Sequence, residues 1–336
     1  MKTKIFNKYV GIFFGLVLLF ASGIKIHSLL TEPQISDRNY HQLQKIDKSK
    51  NNFSFAVFGD NKNSITTFNN LISKLNKENI LFSIDDGDLV YDGDNEKFRF
   101  FINQIKHLNK PLLTVFGNHE AKEEGRNSYY NLFGPFYYSF QVGNNYFIVL
   151  DDSNEKNLDD EQFAWLKNEL KVSQTYKHRF VFMHVPLYDP RKGNYKEGHS
   201  LKDLKFAKKL NNLFDKNNVT MLFVSHIHSY YTGVWGKTRY IITGWGGAEL
   251  AGSDPKHYFY HYIKVNIGNN AVKYDVIKLK SPDFELLDRW IHDAWIYIYA
   301  FFTIHFIDTL LILALTYLTI YIIFLKWSWI VKKFMK

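Results

Sequence analysis

Five short stretches of the chain carry residues able to hold a divalent cation: Gly59-Asp60, Gly87-Asp88-Leu89-Val90-Tyr91, Gly117-Asn118-His119-Glu120, His184, and His226-Ile227-His228. Carboxylate, amide oxygen and imidazole suit hard to borderline divalent metals. The sequence contains no cysteine, which excludes thiolate zinc sites, iron-sulfur clusters, disulfides and cysteine nucleophiles; any metal must sit on nitrogen and oxygen. No single stretch carries the argument. With 13 histidines in 336 residues, a His-x-His pair is expected by chance about 0.5 times. Gly-Asp after a strand is often only a turn, and one histidine at a strand end is commonly a hydrogen-bonded core residue. The weight lies in the order of the five and in the kind of loop that bears them.

Each stretch follows a short apolar run that reads as a strand: Phe53 to Phe58, Leu81 to Asp85, Leu112 to Phe116, Arg179 to His184, and Met221 to Ser225. Helical patterns at Ile65 to Asn76 and Glu96 to Leu108 separate the first three, a βαβ rhythm. In open α/β sheets the ends of successive strands converge on one crevice, so residues far apart in sequence can share a site. A hairpin is expected where Phe136 to Gln141 and Tyr146 to Leu150 flank Gly143, Asn144 and Asn145. Asp159 to Lys171 reads as an amphipathic helix with Phe163, Leu166 and Leu170 on one face. Tyr240 to Thr243, Tyr258 to Val265 and Val272 to Leu279 are further strands, and residues 33–50 read as a polar linker.

Asp, Gly-Asp, Gly-Asn-His-Glu, His and His-x-His, in that order across about residues 53–280, resemble the calcineurin-like metallophosphoesterase superfamily. Tyr91, three after Asp88, makes a Gly-Asp-x-x-Tyr motif similar to that of purple acid phosphatases and their bacterial relatives; Phe133 to Asp151 and Gln162 to Leu170 resemble that branch as well. The resemblance implies an α/β fold, a four-layer αββα sandwich of two mixed sheets between helices, covering residues 51–285. It implies two metal ions drawn from Fe, Mn and Zn. Asp60, Asp88, Tyr91 and His228 would hold the first; Asp88, Asn118, His184 and His226 would hold the second, with Asp88 as the bridge. The implied reaction is phosphoester hydrolysis through a metal-bridging hydroxide. His119 would protonate or hydrogen-bond the departing oxygen, and Glu120 would support the loop.

Two departures stand out. Lys62 occupies the position, two after the first Asp, where many relatives have His or Gly. A protonated lysine cannot ligate a metal; a solvated loop lysine is the expectation, with contact to a substrate phosphate as the alternative. Ser225 replaces the glycine usual before His-x-His. Without Tyr91 the first metal would have only Asp60, Asp88 and His228. Other signals are set aside: the acidic run Asp85, Asp86, Asp88, Asp92, Asp94 lacks calcium-loop spacing, no Gly-x-Ser-x-Gly elbow exists, and His199, Tyr188 and Tyr231 read as surface loop residues.

The formal charge of +9 is not spread along the chain. Residues 1–50 hold eight Lys/Arg against three Asp/Glu and residues 326–336 four against none, which leaves 30 of each sign between them. A nucleic-acid partner is therefore not predicted. Both excesses flank apolar stretches. Lys2, Lys4 and Lys8 precede Val10 to Ile24, so residues 1–32 read as a signal peptide or signal anchor. Thr309 to Leu325 is uncharged and precedes Lys326, Lys332, Lys333 and Lys336. Residues 286–336 are accordingly expected to supply an interfacial segment, a transmembrane helix in the lipid bilayer and a basic tail on the cytoplasmic side. The body would then lie outside the cytoplasm. The expected function is a membrane-anchored phosphoesterase acting on phosphate mono- or diesters. Two alternatives stay open: a phosphodiesterase or pyrophosphatase with a lipid-linked substrate, and a non-catalytic membrane scaffold that retains the fold, for which Lys62 is the motive.

Overall fold

The computed structural model describes residues 2–334 except 31–34, 193–194, 197, 249–251, 269–270, 281–286, 288–289, 292–293, 296–297, 299–300 and 303–304, with side chains from residue 8 to 324 apart from 28. The described residues form two units, Gln34–His292 and a pair of terminal segments.

In the larger unit, strands alternate with helices as the apolar runs dictate. A first sheet, ordered β11-β10-β1-β2-β3, comprises β1 (Phe53–Phe58), β2 (Phe82–Asp85), β3 (Leu112–Thr114), β10 (His261–Ile267) and β11 (Val272–Lys278). β1 runs parallel to β2, and β2 to β3. A second sheet, ordered β4-β5-β6-β7-β9-β8, comprises β4 (Tyr138–Val142), β5 (Asn145–Val149), β6 (His178–Phe182), β7 (Met221–Val224), β8 (Tyr230–Trp235) and β9 (Thr238–Thr243). Its four central strands are parallel and both edges are antiparallel hairpin partners.

Strand residues alternate in direction, so each sheet has two apolar faces to cover. Phe55, Val57, Phe82, Ile84 and Leu113 of the first sheet meet Phe147, Val149, Phe180, Phe182 and Phe223 of the second between the layers. The opposite face of the first sheet is covered by α3 (Thr66–Lys77), α4 (Asn95–Ile105) and α5 (Gly125–Phe133), through Phe68, Phe98, Phe101, Tyr129 and Phe133. The opposite face of the second is covered by α6 (Asp160–Val172) and α7 (Leu204–Lys216), through Phe163, Leu166, Leu210 and Phe214. The result is helix, sheet, sheet, helix. Asp159 starts α6 by accepting the Gln162 N–H at 2.7 Å, and Asp203 starts α7 by accepting those of Lys205 and Phe206.

The expected linker needs correction. Within it, α2 (Arg38–Leu43) docks on β3: the Asn39 side chain accepts the Thr114 N–H and donates to its hydroxyl, both at 3.1 Å, and Ile46 is buried between the sheets. Polar composition suggested a tether, but Asn39 and Gln42 are polar residues spent inside the fold, where a satisfied hydrogen bond removes the cost of burial.

In the smaller unit, α1 (Lys2–Leu30) and α8 (Phe306–Phe334) are each long and apolar enough, over Lys8–His27 and Phe306–Phe324, to cross a membrane. The two helices touch through aromatic edges, Phe14 on Tyr317 at 5.6 Å. Asp308 pairs with His305 at 3.3 Å on the helix surface. Side chains of the basic tail and parts of the interfacial segment 286–305 lie outside the described residues.

Candidate metal centre

All five candidate stretches lie just past the carboxyl ends of parallel strands: Asp60 after β1, Asp88 after β2, Asn118 after β3, His184 after β6, and His226 with His228 after β7. Parallel neighbours end at the same edge, which is how residues up to 168 positions apart in sequence meet. The loops turn sharply there. Asp60, Lys62, Asn63, Asp88, His226 and His228 all take left-handed backbone conformations, with φ from 43° to 65°. Such conformations cost energy for residues with a Cβ and gather where function over-determines the backbone. At Gly87, φ is 94° and a Cβ would sit 2.6 Å from His184 Nδ1, so only glycine lets the β2 loop approach that ring.

One cradle is built on Asp88. Its Oδ1 lies 3.2 Å from His184 Nε2. Asn118 Oδ1 lies 3.1 Å from the same nitrogen and 3.0 Å from His226 Nδ1, and the two ring nitrogens are 3.2 Å apart. Four lone-pair-bearing atoms thus face one point. His184 Nδ1 donates to the Asp86 carbonyl at 2.9 Å, which turns the Nε2 lone pair into the cradle. A second group is formed by Asp60, Asp88 and His228; their ligand atoms lie within 4.8 Å of one another, as do those of Asp88, His184 and His226. Asp60 is fully buried, its Oδ2 accepts the His226 N–H at 2.8 Å, and its Oδ1 has no hydrogen-bond partner. A buried carboxylate oxygen without a donor, aimed into a cluster of imidazoles, is what a cation site requires. The donor sets therefore fit metal ions.

Supporting groups hold the loops. Glu120, buried, accepts the N–H groups of Gly117, Asp88 and Val90 at 2.8, 2.9 and 3.0 Å, tying the β2 and β3 loops together. Asp152, which the sequence reading passed over, accepts those of His184 and Val185 at 3.0 and 2.9 Å. Burial pushes Glu120 up to about 8 and Asp152 up to about 7. Burial also raises Asp60, to about 7. Asp88 goes the other way: burial would raise it, but His184 and Lys62 outweigh that and hold it well below the usual carboxylate range. Asp85 and Asp86 are pushed well up by burial, and Asp92 and Asp94 pair with Lys97, so the acidic run is divided among separate tasks.

Several loop side chains lie where their spacing in the sequence gave no sign. Lys62 is not solvated: its side chain is 8% exposed and its ammonium lies 3.4 Å from Asp88 Oδ2 and 3.1 Å from His119 Nε2. The left-handed loop turns the chain inward, and a buried carboxylate is there to receive it. Tyr91 is placed with His119 and Lys97, its ring edge-on to the imidazole at 5.9 Å and facing the ammonium at 5.5 Å, while its carbonyl receives His119 Nδ1. His199, though exposed, lies against His226 with ring centroids 4.1 Å apart, because Leu201 N–H bonds Pro186 O at 2.9 Å and folds the loop back. No spacing in the sequence signals that return. Tyr188 is buried on Trp235 rather than on the surface, and Tyr231 stacks on His257.

A model of the family described as calcineurin-like phosphoesterase matches residues 53–230. The chain belongs to that family. Its curated relatives include purple acid phosphatases, and purple acid phosphatase-like members of the family use a dinuclear metal centre. Purple acid phosphatase 13 of Arabidopsis thaliana is 28% identical over 165 residues, 42% of this chain and 29% of the relative. The chain spans less than half the length of the first purple acid phosphatases it matches. Two solved structures share the fold. Purple acid phosphatase PPD1 from yellow lupin (Lupinus luteus) seeds superposes with a TM-score of 0.55 at 18% identity, covering 69% of this chain and 52% of its own. GAP50, the anchor in the inner membrane complex of Plasmodium, gives 0.52 at 16%, covering 73% and 95%.

Proposed function

We propose that this calcineurin-like phosphoesterase is a membrane-tethered, metal-dependent hydrolase of phosphate mono- or diesters. The observation that carries the reading is the convergence of Asp88 Oδ1, Asn118 Oδ1, His184 Nε2 and His226 Nδ1 on one point, at separations of 3.0 to 3.2 Å for the pairs given above. These four would hold one cation; Asp60, His228 and the other oxygen of Asp88, with Tyr91 as the further candidate, border the place of a second. When bound, Fe, Mn or Zn in such a site lowers the pKa of water to near neutrality and neutralises phosphoryl oxygens.

The chain's own groups do the rest. Asp60 and Asp88 fix the negative charge of the floor, and their burial excludes water from behind the site. His119, with Nδ1 on the Tyr91 carbonyl and Nε2 on the Lys62 ammonium, forms a hydrogen-bonded couple able to hold a proton beside the leaving oxygen. His199 stands at the exposed mouth. Two apolar helices with basic flanks support anchoring at both ends, with the body outside the cytoplasm.

Asp88→Asn tests the reading: the purified full chain should lose bound metal and aryl phosphoester hydrolysis together, and undiminished turnover would refute it. A second reading, a scaffold that keeps the fold without turnover, is favoured by one observation, the Lys62 ammonium inside the site. A panel of mono- and diesters, soluble and in vesicles, separates the two: no hydrolysis of any by the metal-loaded protein supports the scaffold, and a strong preference for the vesicle-borne esters supports a lipid-linked substrate.

A further inference from the structure

The two oxygens of Asp88 face different partners. Oδ1 accepts the His119 N–H at 3.0 Å and lies 3.2 Å from His184 Nε2, on the side of the four-ligand cradle. Oδ2 faces the Lys62 ammonium at 3.4 Å. An aspartate that bridges two cations can offer one oxygen to each or share a single oxygen between them. Here the second oxygen already faces a positive charge supplied by the chain.

Lys62 is not there by a loose swing of a long side chain. Its backbone is left-handed with φ 43°, its N–H bonds the Asp88 carbonyl at 3.0 Å, and the next residue, Asn63, donates its N–H to Leu89 O at 3.2 Å and accepts the Tyr91 N–H on its side chain at 3.0 Å. The β1 loop is thereby stapled to the β2 loop along three residues. The ammonium, on a side chain only 8% exposed, has two acceptors, Asp88 Oδ2 and His119 Nε2. Asp60 Oδ1 and His228 Nε2 approach each other at 3.6 Å, with Asp88 as the remaining carboxylate of that group. A dication placed among them would stand beside the ammonium and be repelled by it.

We propose that Lys62 is the second cation of this site. The chain binds one divalent metal tightly, in the cradle of Asp88 Oδ1, Asn118, His184 and His226. The Lys62 ammonium takes the neutralising place beside Asp88 Oδ2, and a phosphate group is held between the two. The charges suit this: a divalent ion and an ammonium oppose the two carboxylates of Asp60 and Asp88 and leave one positive charge for the anion. The inference rests on the metal-dependent reading above and narrows it.

The test uses the metal-stripped full chain in detergent, titrated calorimetrically with Zn²⁺ and then, at one equivalent, with inorganic phosphate. The parent should bind one tight equivalent, with any second at least about 100-fold weaker. Lys62→Met keeps the length and removes the charge; it should strengthen the second equivalent at least about tenfold and weaken phosphate binding to the one-metal form by a similar factor. Lys62→Arg keeps the charge and should retain one tight equivalent, which separates charge from a folding defect when thermal melting of all three proteins is compared. Two equivalents of matched affinity in the parent overturn this proposal and leave the phosphoesterase reading standing, as does a Lys62→Met protein with unchanged stoichiometry and phosphate affinity. No metal bound by parent or variants overturns both.

Discussion

Glu120 accepts the backbone N–H of Asp88 at 2.9 Å, so an acid six residues past β3 sets the position of the aspartate at the centre of the site. The same carboxylate takes the N–H groups of Gly117 and Val90. Glutamine has one acceptor oxygen and one NH₂, and must turn a donor against at least one of these three donors. We expect Glu120→Gln to lower stability by about 1–3 kcal/mol, the cost of an unsatisfied buried group. Metal affinity should fall about 10- to 100-fold, as for other outer partners of ligands. Thermal melting and a Zn²⁺ titration check both; unchanged values would remove Glu120 from the support of the site.

The His119 ring approaches the cradle only at Asp88 among the contacts described, with Nε2 3.8 Å from Oδ2. A residue that manages the leaving-group proton matters most when the leaving oxygen is basic. His119→Ala should lower kcat/KM at least about 100-fold for an alkyl phosphate. With a p-nitrophenyl ester, which departs without a proton, the drop should be less than tenfold. Equal losses on the two substrates would show that the ring only positions Lys62.

His261 offers a test of pH dependence away from the metal site. It is fully buried in β10, with Nδ1 donating to the Phe259 carbonyl at 2.9 Å, and burial lowers its pKa to about 4. The unfolded chain binds this proton near pH 6.5 and the folded chain only near 4, so the unfolded state holds more protons between those values. Stability therefore falls as pH drops through that window, by up to about 3 kcal/mol from this residue. Denaturant midpoints measured from pH 7 to 4 should fall for the parent. In His261→Gln this part of the slope should be absent, and parallel curves for the two proteins would count against it.

The terminal helices predict partitioning. Expressed with both ends, the chain should stay with membranes through alkaline carbonate extraction, as expected of helices with apolar spans of 20 and 19 residues. Protease added to intact cells or right-side-out vesicles should cleave the body but spare the basic tail. Full release by carbonate would reassign the helices to packing.

Much of the larger unit was legible because burial leaves a periodic trace. β1 has the limits its apolar run suggested, Phe53–Phe58, and α6 differs from its expected range by one residue at each end. Besides α2, three elements were missed for identifiable reasons. β8 starts directly after the His-x-His loop, is interrupted by Gly233, and presents partly exposed residues, so no apolar run announces it. α5 is dominated by polar and aromatic residues, Arg126, Asn127, Ser128, Tyr129 and Tyr130, without a clean stripe. α7 did carry a readable stripe, Leu204, Ala207, Leu210 and Phe214, masked by the four lysines of the same thirteen residues.

The sequence by itself determined which residue types able to hold a metal occur, in what order, and their place after strands, because strand ends and left-handed turns leave marks in glycine, aspartate and apolar spacing. Where a long side chain goes once the loop is closed has no such mark. Lys62 turned inward rather than out, Tyr91 settled beside His119, and His199 came back over His226, since each outcome depends on which acceptor, ring or carbonyl another loop happens to present. Those choices belong to the tertiary structure: side-chain direction on a loop is set by contacts between segments distant in the chain, and only folding brings those segments together.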